Sequence, residues 1–241
     1  MTPILIVEDL NAYHGLLHAV RGISLRVGSG EVLALVGANG AGKTTLLRSI
    51  IGAHPSAQGR IVLMQRDLTA LSAYQRVRRG VALVPEGRRL FAELTVEENL
   101  MLSRSAGRPG IWNVEAVMDA LPQLKAIRNV KARSLSGGQQ QATAIGRALM
   151  TNPLVLMLDE VSLGLSPAAV DQVYAALHRL KASGTTLILV EQDLGRSLDL
   201  ANRVACMLEG RIVLQAEAAN ITRDQITDAY FGVARRHKAE D

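Results

Sequence analysis

Three continuous apolar runs predict strands that are buried on both faces. Residues 32–36, 154–158 and 186–190 consist of apolar side chains apart from one threonine. Parallel strands covered by helices on both sides have this character, whereas a strand with one side in water alternates apolar and polar residues. Residues 31–54 and about 154–208 are therefore predicted to form an α/β core around a parallel sheet.

Alternating segments accompany this core. Residues 1–30 and about 55–70 contain short alternating strands broken by turn residues, a pattern typical of a small antiparallel sheet. One further strand is predicted at residues 211–215 and a helix near residues 223–231. The polar tail after Ala234 is expected to be frayed.

Helical signals replace strand signals between about Gly87 and Pro153. Thr95 opens a capping box, in which its hydroxyl and the acid three positions later satisfy each other's backbone N–H groups. A further helix is predicted over Asn113–Leu121, and Pro122 stops it because proline cannot continue a helix.

The length of 241 residues and the hydrophobic content of 48% fit one domain, or a core with a small insert. We expect a single domain over residues 1–241. Its core and β subdomain would comprise residues 1–86 and 154–241, and a helical subdomain would comprise residues 87–153.

The net charge of +5 alone is compatible with a nucleic-acid partner or an anionic membrane. The basic residues are scattered, and no basic stripe is interleaved with aromatics, so we expect no nucleic-acid partner. The lone Cys206 excludes an internal disulfide. No apolar run approaches the roughly 20 residues of a membrane helix, and residues 1–10 predict a strand rather than an export signal. A cytosolic chain is expected.

The segment Gly37–Thr44, with the sequence GANGAGKT, lies between the apolar run at residues 32–36 and a helical stretch that opens at Thr45. It matches the phosphate-binding pattern G-x-x-x-x-G-K-[ST] in the context of strand, loop and helix that this pattern needs. Lys43 would charge-pair with the outer phosphates and Thr44 would offer a hydroxyl to Mg²⁺. The candidate nucleotide-binding residues of this loop are Gly37, Ala38, Asn39, Gly40, Ala41, Gly42, Lys43, Thr44 and Thr45. A mere glycine-rich turn is the alternative.

Two adjacent carboxylates, Asp159 and Glu160, end the apolar run at residues 154–158. Ligands of open α/β sheets bind beyond the carboxyl ends of the strands. Asp159 suits a Mg²⁺ ligand. Glu160 suits the orientation and deprotonation of the water that attacks a γ-phosphate. An acidic strand end that merely faces solvent is the alternative.

A second candidate anion site follows Leu135. Ser136, Gly137, Gly138 and Gln139 open a helix whose first backbone N–H groups have no partner within the helix, and the helix dipole lies behind them. As a bare string this signal is weak and could be only a helix start.

These three elements resemble the nucleotide-binding subunits of ABC transporters, which carry the same phosphate loop, LSGGQ string and Asp-Glu strand end in this order. The resemblance covers roughly residues 4–232 and implies the ABC-ATPase variant of the P-loop NTPase fold. It also implies Mg-ATP as the bound nucleotide and a head-to-tail dimer. In that dimer, the Lys43 loop of one chain and the Ser136–Gln139 segment of the other close over the same ATP.

The same resemblance assigns further positions one at a time. Tyr13 lies where the family places an aromatic ring on adenine, and Val20 would flank that base. Glu86 stands where the family has a magnesium-reaching glutamine, and Gln192 stands where it has a histidine that touches the γ-phosphate. Because an amide cannot take up a proton's charge, the general base would be Glu160 and not Gln192.

Two other departures follow Glu160. Val161 replaces a common proline and is expected to change the local backbone, with an effect that the sequence does not specify. Ser166 replaces a usual aspartate and is predicted to cap a helix that begins at Pro167.

The runs VPEGRRLF, TVEENL and SLGL, with Gln192, resemble one branch of the family, the smaller ATPase of branched-chain amino acid importers. This implies two membrane permease subunits, a substrate-binding protein acting indirectly, and a second ATPase that is either a copy of this chain or a related one. It also implies a peripheral location at the cytoplasmic face of the inner or plasma membrane. An ABC ATPase for urea, another amide or lipopolysaccharide, and a non-transport ABC ATPase, are the alternatives.

Overall fold

The computed structural model describes residues 3–231 of the chain. The strands in that part are β1 (Pro3–His14), β2 (Leu17–Gly28), β3 (Val32–Gly37), β4 (Ala57–Leu63), β5 (Arg66–Asp67), β6 (Val81–Val84), β7 (Val155–Asp159), β8 (Thr186–Val190), β9 (Arg203–Leu208) and β10 (Arg211–Glu217). The α-helices are α1 (Lys43–Ile51), α2 (Ala73–Arg79), α3 (Val96–Met101), α4 (Val114–Ala120), α5 (Gly137–Leu149), α6 (Pro167–Ala182), α7 (Leu194–Leu200) and α8 (Arg223–Phe231).

A six-stranded sheet forms the centre, with the strand order β10-β9-β3-β8-β7-β6. All neighbouring pairs are parallel except β9 with β10. Every residue of β3, β7 and β8 is buried, so the prediction from continuous apolar runs is confirmed. Asp159 lies opposite Val190, and Leu35 lies opposite Val190 from the other side. The carboxyl ends of the three strands therefore meet at one edge.

A four-stranded sheet in the order β2-β1-β4-β5 packs beside this centre. Its pairs are antiparallel, with β-bulges along β1, which confirms the prediction for the N-terminal segments. Apolar side chains of this sheet, of α1 and of one face of the central sheet form one buried cluster. A second cluster fills the space between the opposite face and the helices. The helix that follows the phosphate loop is therefore held between two sheets.

Within residues 87–153 of the described chain, helices occur and no strand of either sheet does, apart from an isolated bridge between Thr95 and Lys131. The predicted helix starts are confirmed. Thr95 forms the capping box with Glu98, and the Asn113 side chain accepts from the N–H of Ala116. The α4 helix ends before Pro122, and a short 3₁₀ segment follows.

The prediction for Ser166 is half right. The α6 helix begins at Pro167 as expected, but the Ser166 side chain makes no capping hydrogen bond. Pro167 explains the helix start without it, because its fixed φ suits the first helical position and its missing N–H needs no partner. Val161 is buried in the apolar cluster on the helix-covered face.

The strand β10 and the helix α8 confirm the two elements predicted at the C-terminal end. The tail after Ala234 lies outside the described residues. Among residues 3–231, no helix combines the length and the apolar character that crossing a bilayer requires.

A buried arginine closes the C-terminal end of α1. Arg76, on α2, is 5% exposed, and its Nη1 donates to the carbonyl oxygens of Ser49 and Ile50, both at 2.9 Å. Its other nitrogens donate to the carbonyl oxygens of Leu71 at 3.0 Å and Thr69 at 2.8 Å. The guanidinium thereby satisfies the last carbonyls of the helix and complements its dipole.

We expect Arg76→Met to lower the free energy of unfolding by about 2–4 kcal/mol, because several buried carbonyl groups lose a charged donor. Urea unfolding followed by circular dichroism measures the change. The matched control is Arg78→Met on the exposed face of the same helix, where the guanidinium lies 6.0 Å from the ring centroid of Tyr74. That change should cost less than about 1 kcal/mol. Equal losses for the two variants would contradict the argument.

Candidate functional site

A cleft of about 540 Å³ opens at the edge where β3, β7 and β8 end. The side chains and backbone that line it are His14, Leu17, Ala19, Asn39, Gly40, Gly42, Lys43, Thr44, Thr45, Glu86, Glu160, Leu163 and Gln192. The cleft therefore brings together the phosphate loop, Glu160 of the acidic pair, and the predicted site residues Glu86 and Gln192. The polar groups around it come from five separate parts of the sequence.

The phosphate loop connects β3 directly to α1. Gly42 caps this helix with φ of 98°, and no side chain caps its first turn. A Cβ at Gly42 would collide with the carbonyl oxygen of Ala19, and a Cβ at Gly37 would collide with that of Met207. Both glycines are therefore required by close backbone approach as well as by φ. The uncapped N–H groups and the helix dipole form an anion site.

Lys43 lies at the mouth of the loop and is 4% exposed. Its Nζ donates to the carbonyl oxygens of Gly37 at 2.6 Å and Ala38 at 2.9 Å. Burial lowers the pKa of Lys43, and the charges of Glu160 and Asp159 oppose that shift. The ammonium group is thus held between loop carbonyls and carboxylates, where an anionic phosphate would strengthen its charged form.

The acidic strand end is tied to the loop by one hydrogen bond. Thr44 Oγ1 donates to Asp159 Oδ1 at 3.0 Å, and Asp159 is 2% exposed. Burial raises the pKa of Asp159, the hydrogen bond from Thr44 opposes this, and Glu160 and Glu86 raise the pKa further. A divalent cation placed here would relieve that repulsion between carboxylates.

The donor set fits magnesium. A hydroxyl and carboxylate oxygens are the hard ligands that Mg²⁺ prefers. Within residues 3–231 no group of three or more His, Cys, Asp or Glu side chains is arranged to hold a metal ion. Mg²⁺ commonly uses one or two carboxylates together with substrate phosphates and water, so a complete protein cage is not needed.

Glu160 has an unusual backbone conformation. Its φ is 49°, a left-handed value that costs a non-glycine residue about 1–3 kcal/mol and persists only where neighbours enforce it. Its N–H donates to the carbonyl oxygen of Val190 at 3.0 Å. Gln192 Nε2 donates to Glu160 Oε2 at 3.0 Å and to Asn39 Oδ1 at 3.2 Å. The amide therefore links the proposed base to the phosphate loop.

Glu86 follows β6 and lines the cleft from the side of the helical segment. The next three residues, Gly87, Arg88 and Arg89, all have positive φ. Arg147 on α5 holds this turn by donating to the carbonyl oxygens of Arg88 at 3.1 Å and Arg89 at 2.8 Å. The loop that carries Glu86 is thereby attached to α5.

The predicted second anion site lies elsewhere. Ser136 caps α5, and its capping box with Gln139 has distances of 3.3 and 2.9 Å. None of residues 136–139 lines the cleft. One chain therefore does not bring its phosphate loop and its Ser136–Gln139 segment together.

Tyr13 and Val20, the two residues predicted to contact adenine, do not line the cleft. Val20 is fully buried in the apolar cluster, and the Tyr13 ring stacks on His18, with centroids 4.2 Å apart. His14 lines the cleft instead, with its Nε2 3.1 Å from Thr45 Oγ1. Successive residues of a strand face opposite sides, so Tyr13 and His14 point to opposite faces of β1 and only one of the two rings can line the cleft.

The sequence reasoning also missed Leu17, Ala19 and Leu163, which line the same cleft. No local signal distinguished His14 from the adjacent Tyr13. No local signal marked Leu163 either. Its position depends on the turn after Glu160, which local patterns do not specify.

Comparison with known proteins identifies the class of this site. Residues 20–162 match the ABC transporter family. The high-affinity branched-chain amino acid transport ATP-binding protein BraG of Pseudomonas aeruginosa is 40% identical over 95% of this chain and 100% of its own length. This chain belongs to the ABC transporter family and is one of its ATPase subunits.

Relatives with different cargo names also match. A probable branched-chain amino acid transport ATP-binding protein LivF of Archaeoglobus fulgidus is 34% identical, covering 87% of this chain and 90% of that protein. A cobalt import ATP-binding protein CbiO of Rhodobacter capsulatus is 36% identical, covering 97% and 85%. Among solved structures, the ADP conformation of the ATP-binding cassette MJ1267 superposes with a TM-score of 0.83 at 28% identity, covering 96% of this chain and all of that one.

We expect His14→Ala to weaken ATP binding about tenfold, because a flat ring against adenine contributes about 1–3 kcal/mol. Tyr13→Ala should leave the dissociation constant within about twofold, since that ring does not line the cleft. Titration of each purified variant with a fluorescent ATP analogue measures both constants. A larger loss for Tyr13→Ala would return the assignment to Tyr13.

Proposed function

We propose that this chain powers the uptake of branched-chain amino acids as the ATP-hydrolysing subunit of an importer. The observation that carries the proposal is the 40% identity with BraG, which extends over the full length of that protein. Two membrane permease subunits would provide the passage. A substrate-binding protein would deliver the cargo to them, and the ATPase would lie at the cytoplasmic face of the membrane.

The phosphates of ATP would occupy the loop between β3 and α1. The Lys43 ammonium group would pair with the outer phosphates, and the N–H groups at the start of α1 would bind the inner ones. Thr44 and Asp159, together with Glu86, would hold magnesium, which supplies charge neutralisation to the transferring phosphoryl group when bound. Tying Thr44 to Asp159 at 3.0 Å fixes both oxygens before nucleotide arrives.

Glu160 would orient the attacking water and accept its proton. Its carboxylate lies in the cleft, at the carboxyl end of the central sheet. The Gln192 amide, at 3.0 Å, would hold that carboxylate and, through Asn39, register it against the phosphate loop. An amide cannot replace the carboxylate as a base, so the two roles are separable by mutation.

The position of the Ser136–Gln139 segment supports a head-to-tail dimer. The segment forms the N-terminal end of α5, with Ser136 exposed and Gly138 buried, and it does not line the cleft of the same chain. A second ATPase chain, either a copy of this one or a related subunit, would supply the missing wall to each cleft. Helix α5 has 13 residues, so its N-terminal N–H groups and dipole present an anion site to that neighbour.

We expect Glu160→Gln to lower kcat by about 100-fold or more while ATP still binds, because a neutral amide cannot take the proton. Gln192→Ala should lose about tenfold less, since it removes only a positioning contact. Steady-state ATPase assays compare the variants, with the exposed Glu217→Gln as the carboxylate control. Light scattering of Glu160→Gln with Mg-ATP, alone or with its companion subunit, should show dimers. Near-normal turnover by Glu160→Gln would show that Glu160 is not the base. A variant that stays monomeric with Mg-ATP would contradict the proposed dimer.

Cargo is tested on the assembled transporter. We expect affinity purification of the chain from membranes to retrieve two hydrophobic permease subunits. In vesicles, that complex should hydrolyse ATP several-fold faster when a leucine-loaded binding protein is added, because cargo recognition lies outside the ATPase. Stimulation by cobalt ions and none by leucine would instead favour the cobalt-import function named for CbiO. Retrieval of nucleic acid in place of permeases would contradict transport altogether.

A further inference from the structure

The strained backbone of Glu160 is held by contacts from neighbouring segments. On the upstream side, its N–H donates to the carbonyl oxygen of Val190 at 3.0 Å, a contact to the end of β8. A positive φ in a residue with a side chain is kept only when the surroundings enforce it. Downstream of Glu160 the chain turns through Val161 and Ser162, and the N–H of Leu163 donates to the Glu160 carbonyl oxygen at 3.2 Å.

Glu191 holds the same turn at Ser162. Its Oε1 accepts from the backbone N–H of Ser162 at 3.1 Å, and its Oε2 accepts from the Ser162 hydroxyl at 2.7 Å. The same Oε2 lies 3.4 Å from the backbone nitrogen of Gln192. One carboxylate thus joins the turn after Glu160 to the residue that touches Glu160.

This carboxylate is only 2% exposed, and within residues 3–231 it forms no ion pair with Lys, Arg or His. Burial raises the pKa of Glu191, and the hydrogen bonds from Ser162 oppose the shift. Burying an acid without a cation is unfavourable for folding. A group kept under those conditions beside a strained residue is a candidate for a functional role.

We propose that Glu191 is a positioning residue for hydrolysis, which locks the turn at Ser162 so that Glu160 keeps the left-handed backbone conformation that directs its carboxylate to the cleft. Val190, the last residue of β8, then holds the N–H of Glu160, and Glu191, the next residue, holds the turn that follows Glu160. The inference rests on the proposed role of Glu160 as the base. It predicts that the loss of Glu191 affects turnover rather than the capture of nucleotide, because Lys43 and the phosphate loop are held by other contacts.

Two substitutions separate the hydrogen bonds from the charge. Glu191→Gln can still accept from the Ser162 N–H and can donate to the Ser162 hydroxyl, so its kcat should remain within about threefold of the unmodified chain. Glu191→Ala loses both bonds, and its kcat should fall at least about tenfold. The dissociation constant for ATP should stay within about twofold in both. The assays use the full chain, with its companion subunits where activity requires them.

Two further variants guard against a general loss of structure. Glu31→Ala is the matched control, because Glu31 is also a largely buried carboxylate that accepts a backbone N–H, that of Gly28, and pairs with Arg203 at 2.8 Å. It lies at the opposite end of β3 and should lower stability without changing kcat. Ser162→Ala removes the hydroxyl alone, so it should lower kcat about three- to fivefold, and adding it to Glu191→Ala should have no further effect.

The outcomes distinguish this inference from the proposal on which it rests. If Glu160→Gln hydrolyses ATP normally, Glu160 is not the base, and the positioning role of Glu191 is then wrong as well. If Glu160→Gln is inactive while Glu191→Ala keeps kcat within twofold, the positioning role alone is wrong. Equal losses of ATP binding and kcat in Glu191→Ala would show a structural residue and also overturn it. Should Glu191→Ala not fold, Ser162→Ala decides, and an unchanged kcat in that variant contradicts the proposal.

Discussion

The structure depends on the complete burial of β3, β7 and β8 in a parallel sheet. A strand covered on both faces has no position for a polar side chain along its length, so polar groups are confined to its ends. The parallel register then brings the three carboxyl ends to one edge, with Asp159 and Leu35 both opposite Val190. The acidic pair and the phosphate loop meet at that edge because both directly follow buried parallel strands whose carboxyl ends lie side by side.

The same constraint explains what the sequence could predict. Continuous apolar runs located the central strands, and GANGAGKT located the phosphate loop, because both signals are local. The adenine contact was harder to predict, because it depends on which of two adjacent rings, Tyr13 or His14, faces the cleft, and only His14 lines it. Glu191 was not identified as a contact of Ser162, since their pairing across 29 positions follows from the register of β7 with β8. Long-range pairings of this kind leave no local pattern.

Buried charge is the energetic cost of this site. Lys43 and Asp159 are nearly inaccessible, and each is satisfied by neutral partners, loop carbonyls for the ammonium group and a hydroxyl for the carboxylate. Neutral partners stabilise an ion less than a counter-ion does. The Lys43 ammonium group can therefore still gain electrostatic energy from a phosphate, and the Asp159 carboxylate can gain it from a cation. Electrostatic interactions with a transferring phosphoryl group are also stronger in a site with little water. Stability is therefore exchanged for catalytic capacity.

The proposed dimer can open and close because each helix N-terminus contributes only a small interaction energy. A helix N-terminus stabilises a nearby anion by about 0.3–1 kcal/mol, and by up to about 2 kcal/mol when partly buried. A ligand shifts an equilibrium only by its difference in affinity for the two states. One α5 terminus over each nucleotide therefore adds a closing free energy of a few kcal/mol at most, unless many other contacts form. A contribution of that size is large enough to favour the closed form while the γ-phosphate is present. This contribution is lost when hydrolysis removes the γ-phosphate charge. The dimer can then open without another source of energy.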